Sequence, residues 1–455
     1  MDFDVVVIGG GSAGYAAANK AQSNGAKVAI VDKGPLGGLC ILRGCMPTKT
    51  ILRSSDILAL MCRAKEFGLS VQNPSANLAL INDRKNRLIS EFANYRIKQL
   101  NNPRFTLFKE KASFLSPHEL KVGQQTIQAK NFIIATGSRT TEDFSIPGLA
   151  EYGFLTSDEI LEIRQTPESM TVLGAGPVAV ELAQFFCRIG TQVTLIQRSN
   201  HILSKGDEDL ARPIEDRFRE EGMVLYTKTQ LLRVENFRDS CKVFFIHEGI
   251  EKSVKTKIIL QALGRKPNIN DLNLPAASVN INKGRIVVDQ EMRTNIPNIY
   301  AVGDVNGLHE IVHIAIEQGE IAAHNATEKN IRKFNERLKI NITYTDPPVA
   351  SVGLSEKECI EKKISYLAAS YPFNDHGKSL CMGENHGHVK LLCSPKSGEI
   401  IGAHIAGPEA SELIHQIATL MYYKGTVHDL LKIPHYHPTL SEIFTYPAEE
   451  LVEIL

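Results

Sequence analysis

The feature that most constrains this chain is a pattern that occurs twice: an apolar strand, a glycine-rich turn, a helix and a second strand. A continuous apolar run directly before a glycine turn is typical of a parallel strand that is buried on both faces. The segments are 4–8, 9–14, 13–24 and 27–31 in the first copy, and 170–173, 174–179, 180–189 and 192–196 in the second. The repeat predicts two separate dinucleotide-binding sites within one chain.

The first copy has the residues that a dinucleotide needs. Gly9, Gly11 and Gly14 allow the backbone to approach a pyrophosphate at a helix N-terminus, where free N–H groups favour an anion. Asp32 follows the second strand, where it can accept hydrogen bonds from ribose hydroxyls. Because strand, helix and acid all fall in register, this interpretation is favoured over a turn that serves packing alone.

The second copy differs at the ribose position. Gln197 lies as far beyond Gly174 as Asp32 lies beyond Gly9, so an amide replaces the acid. A carboxylate would repel a 2′-phosphate, whereas Gln197 and the adjacent Arg198 can hold one by hydrogen bonds. We therefore expect NADP(H) to be favoured over NAD(H). The alternative is that Arg198 is a solvated turn residue.

Size and charge limit the classes of protein that the chain can be. At 455 residues it is too long for one core, so about two to four domains are expected. Its 51 basic and 51 acidic residues leave no net charge, so neither nucleic acid nor a membrane surface is an expected partner. No apolar run approaches the roughly 18 residues that span a bilayer. The first strand leaves no room for a signal or transit peptide, and a cytoplasmic protein is expected.

The eight cysteines are too few for a disulfide framework in a chain of this length. Six of them stand singly among apolar neighbours and are interpreted as structural thiols in a reducing compartment: Cys62, Cys187, Cys241, Cys359, Cys381 and Cys393. The other two, Cys40 and Cys45, lie in the segment GGLCILRGCMPTK at 37–49, soon after the first dinucleotide-binding unit.

Together with other motifs, this segment resembles the pyridine nucleotide-disulfide oxidoreductase family, which includes dihydrolipoamide dehydrogenase, glutathione reductase and mercuric reductase. The resemblance covers essentially the whole chain. The matching motifs are both glycine turns, the Cys-x4-Cys segment, Ala135-Thr136-Gly137, Gly264-Arg265, Gly303-Asp304 and His437-Pro438-Thr439-Leu440-Ser441-Glu442. The resemblance implies FAD, a small disulfide or dithiol substrate, and a homodimer in which His437 of one subunit reaches Cys40 of the other. Leu39 and the segment 41–43 differ from the Thr and Asn-Val usual in the family, which leaves the redox potential and the substrate entrance open.

The resemblance also implies roles for individual residues. Cys40 would be the interchange thiol that attacks the substrate disulfide, and Cys45 the thiol that lies against the flavin. Asp304 would bind the ribitol of FAD, although a simple turn aspartate is the alternative. Lys49 and Glu181 would pair beside the flavin, with a solvated surface pair as the alternative. The remaining implied cofactor-binding residues are Gly38, Ala112, Ala135, Thr136, Gly137, Gly176, Gly264, Gly303 and His313.

If Cys40 and Cys45 form the bridge that the resemblance implies, the segment between them is not expected to be a regular α-helix. Residues five apart in an ideal helix have Cα atoms roughly 8.5 Å apart, whereas a disulfide tolerates about 7 Å at most. Gly44 offers the backbone freedom for a distorted turn, and Pro47 biases Met46 away from helical angles. A strained bridge of this kind is easily reduced.

His437 and Glu442 are interpreted as a base and the residue that orients it. Pro438 suits the first turn of a helix, so Glu442 would lie about one turn onward and could hold the imidazole by a hydrogen bond. A thiol that attacks a disulfide loses a proton and the departing thiolate regains one, and an imidazole that titrates near neutrality fits both steps. Most of the 14 histidines, among them His435, are interpreted as packing or capping residues.

The predicted fold class is α/β, with two Rossmann-like dinucleotide-binding domains and a C-terminal α+β dimerisation domain. The predicted parts are an FAD-binding domain at 1–145 with a helical excursion at 50–100, an NAD(P)-binding domain at 146–265, a second part of the FAD-binding domain at 266–335 and the dimerisation domain at 336–455. No metal site is expected.

Within the family, two motifs favour the dihydrolipoamide dehydrogenase branch: Leu440 after Thr439, and Val312-His313-Ile314-Ala315. Gln197-Arg198 favours an NADPH-dependent reductase of the glutathione reductase type. The final residues lack the cysteine pair of mercuric reductases, which weakens the mercuric and thioredoxin reductase interpretations. A flavoprotein without disulfide turnover that acts as a complex partner is a further alternative, but such a role needs neither thiol nor base.

Overall fold

A computed structural model describes residues 1–455 as a mixed α/β protein with two compact units. The first unit consists of Met1–Thr50, Asn82–Thr141 and Gly264–Asn335, and the second of Ile51–Ile81, Glu142–Leu263 and Glu336–Leu455. No helix is both long and apolar enough to cross a bilayer.

The strands are β1 Phe3–Ile8, β2 Val28–Val31, β3 Phe105–Phe108, β4 Ala112–Ser116, β5 Glu119–Val122, β6 Gln125–Ile134, β7 Ser138–Thr140, β8 Ser169–Leu173, β9 Gln192–Ile196, β10 Val224–Tyr226, β11 Thr229–Phe237, β12 Ser240–His247, β13 Ile250–Thr256, β14 Ile258–Gln261, β15 Arg265–Pro267, β16 Ile281–Asn282, β17 Arg285–Ile286, β18 Ile299–Ala301, β19 Ile340–Thr343, β20 Val349–Gly353, β21 Leu367–Pro372, β22 His388–Cys393 and β23 Ile400–Ala406. The α-helices are α1 Ser12–Ser23, α2 Gly38–Leu42, α3 Cys45–Cys62, α4 Leu78–Leu100, α5 Leu149–Tyr152, α6 Ser157–Ile160, α7 Pro177–Arg188, α8 Glu208–Glu220, α9 Val312–Thr327, α10 Glu356–Lys362, α11 Gly377–Met382, α12 Ala410–Tyr422, α13 Val427–Lys432 and α14 Thr445–Ile454. Short 3-10 turns span Ala64–Phe67, Asn270–Leu272, Leu274–Ala277, Gly303–Asn306, Glu336–Leu338, Phe373–Asp375 and Ser441–Phe444.

The first unit is built around a sheet in the order β3-β2-β1-β6, with β18 also paired to β6. β1 pairs in parallel with both β2 and β6. Val5 and Val7 of β1 enter one apolar cluster, whereas Val6 and Ile8 enter another on the opposite face. The predicted strand buried on both faces is confirmed, and the turn that follows it lies at the carboxyl edge of the sheet, where ligands of such sheets bind.

The second unit contains the second copy of the pattern. β8, β9, β10 and β14 form a parallel sheet in the order β10-β9-β8-β14, and α7 follows the glycine turn after β8. A three-stranded antiparallel sheet, β11-β12-β13, was not predicted. Its signal is the alternation in β12, where Cys241, Val243 and Phe245 are fully buried.

The C-terminal part of the second unit has an antiparallel sheet in the order β19-β20-β23-β22-β21. Helix α12 buries Ile414, Ile417 and Met421 completely, at the spacing of one helical face. These side chains share an apolar cluster with Leu391 of β22 and Ile405 of β23. Helices on an antiparallel sheet agree with the predicted α+β architecture of this region.

Candidate active site

The helix through the two cysteines is interrupted between them. Helix α2 ends at Leu42, Arg43 adopts φ −144° and ψ 5°, and α3 begins at Cys45. The thiol of Cys40 is hydrogen bonded to that of Cys45, and both cysteines are unbridged. The segment is not one regular helix even with the cysteines unbridged, and the interruption brings the two sulfur atoms into contact; the expectation for the bridged form stays a prediction.

Two details of this interruption differ from expectation. Gly44 does not adopt a left-handed conformation; instead, a Cβ atom there would lie only 3.2 Å from the Cα atom of Cys40. Glycine therefore permits a close approach of two backbone segments. The expectation that Pro47 keeps Met46 out of a helix is wrong, because both residues lie in the first turn of α3. A proline is tolerated there since its missing N–H would have no partner within the helix.

The environment of Cys40 disfavours the thiolate. The hydrogen bond to Cys45 raises the pKa of the Cys40 thiol, burial raises it further, and the charge of Lys49 acts in the opposite direction. A thiol whose pKa is raised needs a base before it can act as a nucleophile.

The first glycine turn is packed directly against the cysteine segment. Gly11 is the N-cap residue of α1. Gly38 has φ +78°, and a Cβ atom there would lie 2.6 Å from the Cα atom of Gly11. Asp32 holds the turn, because its carboxylate accepts the N–H of Gly10 and the N–H of Gly34, both at 2.7 Å. The proposed contact of Asp32 with ribose stays a prediction.

Arg96 of α4 is a residue at this turn that the sequence analysis missed. Its guanidinium lies 4.6 Å from the ring centre of Tyr15, and its Nη1 atom lies 3.5 Å from the carbonyl oxygen of Gly11. The Nε atom is buried and has no hydrogen-bond partner, and burial lowers the pKa of Arg96. A half-buried cation with an unused Nε donor beside a helix N-terminus fits the pyrophosphate of a dinucleotide.

Asp304 lies in the 3-10 turn after β18 and is held by a short chain of polar residues. Ser138 donates its hydroxyl hydrogen to the carboxylate of Asp304 at 2.6 Å, and Arg265 donates Nε–H to Ser138 at 2.9 Å. The amide N–H of Gly303 donates to the side chain of Gln318 at 2.8 Å. These contacts fix the carboxylate, and its predicted binding of ribitol is untested.

The other predicted cofactor residues of the first unit follow strands or begin elements. Ala135, Thr136 and Gly137 directly follow β6, and Gly264 directly precedes β15. The side chain of Ala112, at the start of β4, belongs to an apolar cluster, so that only its backbone could contact a ligand. His313 lies in the first turn of α9.

At the second glycine turn, Gly176 is the N-cap residue of α7 and Pro177 follows at the first helical position. Gln197 directly follows β9, and its side-chain oxygen accepts the N–H of Arg198 at 3.1 Å. The Arg198 side chain is exposed. Glu181 in α7 is buried and accepts the N–H of Tyr344 at 2.8 Å, and its pairing with Lys49 stays a prediction.

His437 and Glu442 are in contact, as predicted. Nδ1 of His437 lies 3.0 Å from Oε2 of Glu442, and the N–H of Thr439 donates to Oε1 of Glu442 at 3.2 Å. Although burial raises the pKa of Glu442, the hydrogen bonds from His437 and Thr439 hold it below its usual value. The carboxylate is therefore charged at neutral pH, and Nε2 of His437 remains available for proton transfer.

One local expectation about this pair is wrong. Pro438 is not in the first turn of a helix; the peptide bond before it is cis, and the next helical turn begins at Ser441. Glu442 reaches His437 because the chain bends between them and places Glu442 in that turn. The His437 side chain is 78% exposed in the single chain.

With this geometry in place, the comparisons with known proteins define the class. The family model described as pyridine nucleotide-disulphide oxidoreductase matches residues 3–319. The model of the dimerisation domain of the same family matches residues 340–448. The chain belongs to the pyridine nucleotide-disulphide oxidoreductase family, whose members are FAD-containing flavoproteins, and the second match supports a homodimer.

Individual relatives are similar along almost the whole chain. A mercuric reductase of Staphylococcus aureus is 34% identical over 94% of this chain and 79% of its own length. A dihydrolipoyl dehydrogenase of Bacillus subtilis is 33% identical over 96% of each chain. The solved structure of the HOCl-induced flavoprotein disulfide reductase RclA from Escherichia coli has a TM-score of 0.86 at 24% identity, covering 98% of this chain and 99% of its own. That structure shows the fold alone.

Proposed function

We propose that this flavoprotein passes electrons between NAD(P)H and a small disulfide or dithiol through Cys40 and Cys45, in the manner of a dihydrolipoyl dehydrogenase. The observation that carries the proposal is the contact between the two thiols at the interruption between α2 and α3, beside the first glycine turn. A pair of thiols in contact can exchange a disulfide with a substrate, which a structural cysteine cannot do.

FAD fits the first glycine turn on chemical grounds. The N-terminus of α1 and the unused Nε donor of Arg96 would hold the pyrophosphate, while Asp32 and Asp304 would bind the ribose and the ribitol. When bound, FAD would supply a two-electron carrier between the nicotinamide and the disulfide.

The proton chemistry is assigned to His437. Attack by Cys40 on a substrate disulfide forms a mixed disulfide and releases a thiolate, which needs a proton; the reverse reaction needs a base. Glu442 engages Nδ1 of His437, so Nε2 is the atom that would take or give the proton. The exposure of His437 in the single chain supports a homodimer in which it meets the Cys40 of the partner subunit.

For the nicotinamide, we propose NADP(H), because Gln197 and the exposed Arg198 stand where an NAD-binding protein of this fold carries an acid. Arg198→Ala is expected to reduce the preference for NADPH by roughly 1.5 to 3 kcal/mol, the usual contribution of a hydrogen bond to a charged group. Lys205→Ala, in the same exposed region, is the control. An enzyme that prefers NADH and does not change its selectivity in the variant would contradict the phosphate role.

NADPH dependence would also suit a reductase of another low-molecular-weight disulfide, and this is the second candidate. The test is a panel of lipoamide, oxidised glutathione and coenzyme A disulfide, each assayed with NADH and NADPH against the Cys40→Ala protein as blank. Turnover of lipoamide above the others supports the first candidate, and turnover of glutathione the second. Absence of turnover with every disulfide would refute both. A cytoplasmic location is proposed with either function.

A further inference from the structure

A second histidine lies behind the carboxylate that orients His437. His376 is the N-cap residue of α11, and its side chain is completely buried. Its Nε2 atom lies 3.5 Å from Oε1 of Glu442, while Oε2 of the same carboxylate contacts His437 at 3.0 Å. The carboxylate of Glu442 is therefore placed between two imidazoles.

The other ring nitrogen of His376 determines how the ring can act. Nδ1 lies 2.9 Å from the hydroxyl oxygen of Ser379, which is also completely buried. A hydroxyl that donates to Nδ1 leaves the proton of a neutral ring on Nε2, which lies 3.5 Å from Oε1 of Glu442 and has no hydrogen-bond partner. Burial lowers the pKa of His376 although Glu442 acts against it, which agrees with a neutral ring.

The remaining groups around His376 keep the ring in place. Tyr446 of α14 packs against it edge to face, with 6.3 Å between ring centres. The titratable groups that face His376 are thus Glu442, His437 and Tyr446, with Ser379 as the polar neighbour on its own helix.

We propose that His376 is a positioning residue for the proton-transfer pair: its Nε2–H faces one oxygen of Glu442 and keeps the other oxygen directed at His437. The proposal rests on the proposed function, because it assumes that His437 acts on a thiol. The alternative is a buried histidine that only packs. His404 is an example in the same unit, since it is 2% exposed and its Nε2 atom contacts the carbonyl oxygen of Leu354 at 2.9 Å.

Loss of His376 has a defined chemical consequence. Without the Nε2–H beside Oε1, only the N–H of Thr439 remains at that oxygen, so more of the negative charge of Glu442 is available to His437 and the carboxylate is less constrained. Both effects change how His437 holds its proton, whereas neither removes a group that contacts the thiols. The change should therefore appear in kcat and its pH dependence and not in the KM for the disulfide.

The test uses the FAD-containing full-length protein and four variants. His376→Leu removes the donor, His376→Gln keeps one, Ser379→Ala removes the group that fixes the tautomer, and His404→Gln is the matched control. For each protein, kcat and KM are measured from about pH 6 to about pH 9 with the disulfide that the wild type reduces, because an imidazole titrates in roughly this range. The modification of His437 by diethylpyrocarbonate is followed separately by peptide mass spectrometry, because that reaction needs no turnover.

We expect His376→Leu to lower kcat roughly tenfold, to move the pH profile upward and to slow the modification of His437 near neutrality, since a protonated ring does not react. His376→Gln should restore most of the rate, Ser379→Ala should change the same quantities in the same direction, and His404→Gln should change none.

If His376→Leu does not fold, Ser379→Ala decides. Unchanged pH profiles and modification rates in the folded variants would overturn the proposal. A wild type without disulfide turnover would refute the proposed function, and the modification rates alone would then decide the role of His376.

Discussion

Arg96 shows how a single half-buried charge can identify a ligand site. It has no acidic partner among its contacts, and its guanidinium lies between Tyr15 and the first glycine turn. Burial of a cation is unfavourable unless an anion or several acceptors compensate it. FAD pyrophosphate would supply that compensation.

Arg96→Gln is expected to weaken FAD binding about 10- to 100-fold, because a hydrogen bond to a charged group contributes about 1.5–3 kcal/mol. Arg104→Gln is the matched control, since Arg104 also contacts Tyr15, at 3.1 Å, but is exposed. The measurement is the dissociation constant of FAD from apoprotein by flavin fluorescence. Equal affinities in the two variants would remove Arg96 from the site.

The residues that the sequence could predict are those that lie in a local motif. Cys40 and Cys45 stand in one segment, and His437 and Glu442 in another, and both segments are among the motifs that carry the resemblance to the family. Arg96, Ser138 and His376 could not be found in this way. Each reaches its site through tertiary packing of an element whose own sequence has no unusual pattern.

Among the elements, the N-termini of α8 and α10 are joined by one buried lysine. Lys390 of β22 is 3% exposed and contacts Asp207 at 2.9 Å, Asp209 at 2.8 Å and Glu356 at 2.8 Å. Asp207 also accepts the N–H of Glu356 and that of Lys357, each at 3.1 Å. The cluster thus caps the first turn of α10 and holds it to the start of α8.

Lys390→Met is expected to destabilise the protein by about 3–5 kcal/mol, because it leaves the buried carboxylate of Asp207 without its cation. Lys396→Met, at an exposed position of the same sheet region, is the control and should have little effect. Chemical denaturation followed by circular dichroism measures the difference. Equal stability of the two variants would show that the cluster contributes nothing.

The same cluster gives a pH dependence whose sign is defined. Although burial raises the pKa of Asp209, hydrogen bonds from His388 and Lys390 hold it well below the ordinary value of 3.8. A carboxyl group with a lowered pKa contributes stability above its unfolded-state pKa and loses it as the pH falls through the folded-state pKa. Asp209→Asn removes this carboxyl group, so the variant should lose less stability than the wild type when the pH falls from about 7 to about 3.

At the scale of the elements, the repeated strands were predictable because a strand buried on both faces is a continuous apolar run. The repeated helices were predictable because each follows a glycine-rich turn. The sheet β11-β12-β13 was missed although β12 alternates apolar and polar residues, because the turn between β11 and β12 contains neither glycine nor proline. The cis peptide before Pro438 and the helical position of Pro47 could not be inferred, because a proline alone permits several local structures. The domain boundaries at 145, 265 and 335 stay predictions.

At the scale of the whole molecule, the homodimer makes a prediction about shared sites. If His437 serves the Cys40 of the partner subunit, mixing inactive Cys40→Ala and His437→Ala proteins restores part of the activity after subunit exchange. A mixture of Cys40→Ala with Cys45→Ala is the control and should stay inactive, because each subunit of the heterodimer then lacks one of the two cysteines. Heterodimers seen by native mass spectrometry without recovered activity would argue for a site within one subunit.

The central claim is that Cys40 and Cys45 form a redox pair that exchanges electrons with the flavin. The most direct test is an anaerobic reductive titration of the purified holoenzyme beside the Cys45→Ala protein. The account predicts that the wild type takes up about four electrons per subunit, two for the flavin and two for the disulfide, and that the variant takes up about two. A wild type that also takes up only about two, with its flavin fully reduced, would contradict it.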